Sequence, residues 1–238
     1  MHYLHDAQLA NIVTSYATCL GGILPMIFVL MLGGQPKRWF FVYACILITG
    51  IPTVWLHSME GNRVASFFDV GTNILLAYAL QVAVAGDFMK PKPRRILLGI
   101  MLAVNVFVWG WLIQEIFAKE KTPLLSFGTF GQFYAGEVAL ILNAWVVVIL
   151  FAINLKYISK RAKRLFYLIV ATFFFGMILA TASNSYISFG IFPWHAAWHI
   201  VGACGFITLF LFNHVRFNEP PESDSYSASI SKLTHEII

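Results

Sequence analysis

The chain has 238 residues, of which 59% are hydrophobic, 16% aromatic and only 11% charged, and its mean hydropathy is +0.74. Soluble domains carry roughly 25% charged and about 45–50% apolar residues, so an ordinary soluble enzyme, a disordered chain and a small disulfide scaffold are excluded. The net charge of +5 sits in short basic clusters between apolar blocks about 20 residues long, the length that crosses a bilayer as a helix. That placement specifies membrane topology rather than a nucleic-acid surface.

Seven spans are predicted, in order Leu9–Leu32, Trp39–Leu56, Ser66–Gly86, Ile96–Ala118, Phe133–Leu155, Leu165–Tyr186 and Trp194–Asn213. Each must be helical, because lipid offers no other partner for backbone polar groups. The expected fold is therefore an all-α integral membrane protein, a seven-transmembrane helix bundle. Gly33-Gly34-Gln35-Pro36 and Pro91-Lys92-Pro93 break the chain between spans. Met1–Gln8 lacks a basic n-region and the first apolar block exceeds a signal-peptide core, so the start of the chain is expected to be retained. Residues 1–217 form the membrane domain, and the polar, Pro- and Ser-rich stretch 218–238 is expected to be a disordered tail.

Counting Lys and Arg on alternate sides of the spans gives an orientation. Lys37 and Arg38, the cluster Lys90 to Arg95 and the cluster Lys156 to Arg164 put eleven on one side, against Arg63, Lys119 and Lys121 on the other. The richer side faces the cytoplasm. The N-terminus is then outside and the tail inside.

Cys19, Cys45 and Cys204 all lie in apolar segments with no CxxC pair, which reads as small buried side chains rather than a disulfide framework or a cysteine metal site. The histidines are more informative. His57 closes span 2, and His195 and His199 open span 7 at i, i+4 spacing, so both of the latter project from one helical face. Two imidazoles on one face with a third from another helix make a facial metal clamp, and three protein ligands plus water is the arrangement of a catalytic zinc. Interfacial solvation accounts equally well for the HxxxH pair taken alone. Asp69 lies within span 3, where an ionisable group points to function. Thr53 shares the face of His57 one turn earlier, though back-bonding to its own helix is the ordinary role of such a threonine. Chain direction brings the end of span 2 and the starts of spans 3 and 7 to one membrane face.

The run Gly50-Ile-Pro-Thr-Val-Trp-Leu-His57, then Phe67-Phe68-Asp69, then Trp194-His195-Ala-Ala-Trp-His199-Ile-Val-Gly202 resembles the CREST superfamily of seven-transmembrane metal-dependent hydrolases. That group includes the alkaline ceramidases and the adiponectin/progestin-type receptors, and its pattern is a Ser four residues before a span-2 His, a span-3 Asp and a span-7 HxxxH. The tryptophan before the second span-7 histidine looks more like the ceramidase branch. Specific motifs cover about thirty residues. The resemblance implies zinc (Zn2+) ligands at His57, His195 and His199, with Asp69 matching the aspartate that holds the zinc's water and Thr53 matching the serine. Three features depart from the family. Serine has become threonine, the His57-to-Asp69 interval is one residue longer, and Met1–Gln8 offers only Asp6 in place of an acidic, tryptophan-containing calcium segment.

The leading expectation is thus a zinc-dependent lipid amidase acting on ceramide or a ceramide-like N-acyl lipid. Asp69 would move the proton, and the Thr53 hydroxyl would donate to the developing oxyanion. The same groups suit ester hydrolysis. The expected partners are the bilayer and its lipid substrate, not nucleic acid. The alternative is a zinc-stabilised receptor of the adiponectin/progestin type without robust turnover. A retinal protein is disfavoured because span 7 has no lysine, and NPxxY is absent there. A haem held by two histidines is a third reading. Asn73 could orient Asp69 or make an interhelical bond, while Gln81, Asn105, Glu137 and Asn143 read as packing groups.

Overall fold

The computed structural model describes residues 2–59, 61–118, 122–126, 132–183, 188–189 and 192–219, with side chains described from residue 8 to 179 and from 193 within those limits. The tail from 220 onward, Asn184 and Ser185 at the end of span 6, Glu60, Lys119, Lys121 and the side chain of Asp6 lie outside the described residues. Among the described residues seven α-helices run α1 His2–Leu32, α2 Lys37–Ser58, α3 Arg63–Phe88, α4 Pro91–Phe117, α5 Ala135–Asn154, α6 Lys160–Ser183 and α7 Trp194–Asn218. All seven are long and apolar enough to cross a membrane, which makes this a multi-pass membrane protein built as an all-α bundle.

The helices overrun most of the predicted spans for local reasons. Asn62 accepts from the backbone N–H groups of Val64 and Ala65 at 3.0 and 3.1 Å, so α3 starts at Arg63 rather than at Ser66. Such a side-chain cap satisfies donors that the first turn leaves open. Pro91 starts α4 at a position where its missing N–H costs nothing. Helix α5 begins two residues later than predicted, because Phe133 pairs with Leu125 in a short hairpin, β1 Leu125–Ser126 with β2 Gln132–Phe133. A second hairpin, β3 Ser188–Phe189 with β4 Phe192–Pro193, leads into α7. Gly33, Gly34 and Gly61 take φ of 66°, 77° and 74° in the turns flanking α2, where a side chain would be strained.

Helix α1 lies against α2 and α7, α7 against α6, α2 against α3, and α3 against α4 and α5. Small residues set the closest approach. A Cβ on Gly22 would meet the Leu47 nitrogen at 2.5 Å, and one on Gly50 would meet Cys19 Sγ at 2.6 Å, so α1 and α2 touch backbone to backbone as small-residue helix pairs do in membranes. Trp39, Tyr43, Ile46, Val84 and Phe212 fill the core with no exposed surface. Outward faces are apolar as well: Leu30 and Met31 are each 73% exposed, as lipid-facing residues are.

Several polar groups inside the bundle pair across helices. Asn105 and Asn143 exchange amide hydrogen bonds at 3.1 and 2.8 Å, and Gln81 donates to the Asn143 carbonyl at 3.4 Å. At the basic end, buried Asp87 takes Arg216 at 2.6 Å, Trp39 Nε1 at 3.0 Å and the Arg38 guanidinium. This joins α2, α3 and α7 at the end remote from the histidines. Glu115 accepts the Ala135 N–H at 2.9 Å and Glu137 the Tyr134 N–H at 3.0 Å, so both carboxylates serve the start of α5. Glu219, just past α7, accepts from Ser159 at 2.8 Å and pairs with Arg161 at 3.1 Å.

Candidate metal centre

The three histidines come from two helix ends. His57 lies in the last turn of α2, and His195 and His199 lie in the first turns of α7. Entry into α7 is fixed by Pro193, whose extended backbone precedes Trp194. The next residues then wind so that His195 and His199 fall on one face. Gly176 of α6 receives the Trp198 indole, which would collide with a Cβ there. That seat holds the first turns of α7 against α6 between the two histidines.

The three imidazoles converge. Their ligand atoms lie within 4.8 Å of one another, and the ring centroids are 4.7 to 5.0 Å apart. His57 Nε2 and His195 Nε2 face each other at 3.1 Å. A tetrahedral ion such as zinc, with Zn–N bonds of about 2.0–2.1 Å, sets its ligand nitrogens about 3.3 Å apart, so this pair is already near the spacing it needs. His199 is 5% exposed, and the other two are half-buried. The donor set, three imidazoles with no charged group among them, fits a borderline divalent ion with one position open. It does not fit axial ligation of a haem, because 3.1 Å leaves no room for a macrocycle between His57 and His195.

Thr53 and Asp69 form the second part of the site. Thr53 Oγ1 lies 2.5 Å from Asp69 Oδ1 and 3.0 Å from the Thr49 carbonyl. The Thr49 carbonyl that would take a threonine's usual back-bond is in reach, but one hydroxyl proton serves one acceptor, and the shorter contact is to the carboxylate. The sequence pointed this hydroxyl at a substrate oxygen; in the structure it faces Asp69. Asn73 donates to the backbone carbonyl of Asp69 at 2.8 Å, not to its carboxylate. Pro52 contributes too. It has no N–H, so the helix lacks one rung beside Thr53.

Helix α1 supplies a third part that the sequence reading missed. Thr14 Oγ1 and Ser15 Oγ lie 3.1 and 3.3 Å from His199 Nδ1, and Asn11 Oδ1, one turn earlier, is buried without a hydrogen-bond partner among the described residues. Two adjacent hydroxyl residues near one end of a span were the sole sequence signal. Back-bonding explains such residues equally well. No family model matches the chain, and no curated protein matches it closely.

Proposed function

We propose that the protein is a zinc-dependent hydrolase of a membrane lipid, an amidase resembling the alkaline ceramidases that cleaves ceramide or a ceramide-like N-acyl lipid. The observation that carries this reading is a three-histidine cluster together with a bonded Thr53–Asp69 pair, Thr53 lying one helical turn before His57 on α2. His57, His195 and His199 hold the ion. When bound, zinc would supply Lewis acidity and lower the pKa of a water to about 7. Asp69 accepts the proton that the attacking water loses and returns it to the departing nitrogen. The acyl carbon gains OH as its C–N bond breaks, and the products are a fatty acid and a free amine.

Thr53 holds the Asp69 carboxylate while it is an anion. Once Asp69 is protonated, the hydroxyl is free to turn toward the substrate carbonyl oxygen as charge develops there. The acyl chain lies between helices, and the orientation implied by the basic clusters puts the site at the non-cytoplasmic face, open to the outer leaflet.

The test is to purify the full chain in detergent, measure its metal, and incubate it with ceramides, other N-acyl lipids and lipid esters. Chelator-sensitive release of fatty acid and amine is the expected result. Bound zinc with no release from any lipid would instead favour the receptor of the adiponectin/progestin type.

A further inference from the structure

Helix α1 sets two hydroxyls against one ring nitrogen of His199. Thr14 Oγ1 is 2.7 Å from the Ala10 carbonyl, and Ser15 Oγ is 2.7 Å from the Asn11 carbonyl. A carbonyl can only accept, and a hydroxyl has one proton to give. Both hydroxyl protons are therefore committed to α1's own backbone at short, well-formed distances. What the two oxygens present to His199 Nδ1, at 3.1 and 3.3 Å, is lone pairs. A lone pair facing an unprotonated ring nitrogen at that distance is repulsive, so the arrangement favours a proton on Nδ1.

From this we infer that Thr14 and Ser15 are positioning residues of the metal centre. Together they accept the Nδ1–H of His199, lock its ring, and leave Nε2 as the nitrogen that takes the metal. The other ligands agree, since His57 and His195 already converge through Nε2. Metal-binding histidines generally give their second ring N–H to an oxygen that orients the ring and raises its basicity. Here two hydroxyls share that role beside the Asn11 backbone, which also hydrogen-bonds His199, so losing one hydroxyl leaves the others in place. Gly21 packs α1 directly on α7, where a Cβ would meet the Phe206 side chain at 3.2 Å and the Ala203 backbone at 3.4 Å. The first span is thereby a wall of the site as well as a membrane anchor.

The inference rests on the three histidines holding a metal, and two measurements separate it from that reading and from any question of turnover. The first is zinc affinity of the purified full chain by competition with a chromogenic chelator. Wild type should bind one zinc tightly. Thr14→Val or Ser15→Ala alone should weaken binding only slightly, and the double variant should weaken it about 10–100-fold. The swapped variant, Thr14→Ser with Ser15→Thr, keeps both hydroxyls and should bind as wild type. Absorption of the cobalt-loaded protein should change in the double variant and return in the swap.

The second measurement needs no variant of α1. Nitrogen chemical shifts of histidine-labelled, metal-free protein, assigned with His199→Gln, should show His199 protonated at Nδ1. Wild-type zinc affinity in the double variant, or His199 protonated at Nε2, would overturn the inference. Failure of wild type to bind zinc would overturn the metal reading beneath it.

Discussion

Thr53 on α2 and Asp69 on α3 meet at 2.5 Å between side-chain oxygens, and one turn further along α2 His57 meets His195 of α7 at 3.1 Å. A carboxylate inside a membrane helix is costly unless something holds it. The bond from Thr53 lowers that cost and fixes the carboxylate's direction. It also ties the group assigned to proton transfer to the same helix face that carries His57.

Asp69→Asn keeps the shape of the side chain and removes the base. Turnover should fall by ~10²–10⁴, with zinc still bound. Thr53→Val removes the hydroxyl that steadies Asp69 and should cost roughly 10–100-fold in turnover, while Thr53→Ser should stay near wild type. Steady-state rates on the lipid that proves to be cleaved, together with metal content of each variant, check this. Near-normal rates in Asp69→Asn would remove it from the mechanism.

The seat of Trp198 on Gly176 makes a prediction about α6, which carries no ligand. Gly176→Leu fills the space of the indole and forces α7 outward at the turn between His195 and His199. Overpacking of this kind costs about 1–3 kcal/mol, and zinc affinity should fall with it. Titration with a competing chelator reads the affinity, and melting in detergent reads the stability. Unchanged affinity would mean that the histidine turn tolerates movement of its neighbour.

The opposite end of the bundle should separate stability from metal binding. Asp87 and Arg216 have side chains only 3% and 4% exposed, and the Arg216 guanidinium also lies over Phe217 at 4.3 Å and Phe212 at 5.1 Å. Asp87→Ala leaves that charge buried without its partner, a change that costs about 3–5 kcal/mol. Thermal unfolding should show this loss, while zinc stoichiometry of the folded fraction stays the same. An unchanged melting temperature would mean that water reaches Arg216.

Most of the fold was legible because a bilayer imposes few choices. Apolar length selected the spans, and lipid selected the helix. Span ends were less legible, since α3 and α5 begin where Asn62 caps and where Phe133 pairs, and neither event has an apolar signature. In the site, the i, i+4 histidines and the span-3 carboxylate stood out because such groups are rare in spans. Thr14 and Ser15 did not, as a hydroxyl satisfied by its own helix looks alike whether or not a distant imidazole also leans on it. Glu219 was assigned to the polar tail, yet it binds Ser159 and Arg161; a single terminal residue is too local to show in composition.

The basic clusters predict orientation. With eleven Lys and Arg against three in the loops, the N-terminus should be outside and the tail in the cytoplasm. Single cysteines placed at Gln8 and Ser225, in a chain with Cys19, Cys45 and Cys204 replaced, read this in intact cells with an impermeant thiol reagent. Labelling at position 8 alone is the expected pattern. Labelling at 225 alone would put the metal centre on the cytoplasmic face.

Metal analysis of the purified chain beside His57→Ala, His195→Ala and His199→Ala tests the central claim most directly. One zinc per chain in wild type, bound through three nitrogens by X-ray absorption and lost in each of the three variants, is the predicted result. A wild type without metal, or a zinc that survives any one of these substitutions at full occupancy, would contradict it.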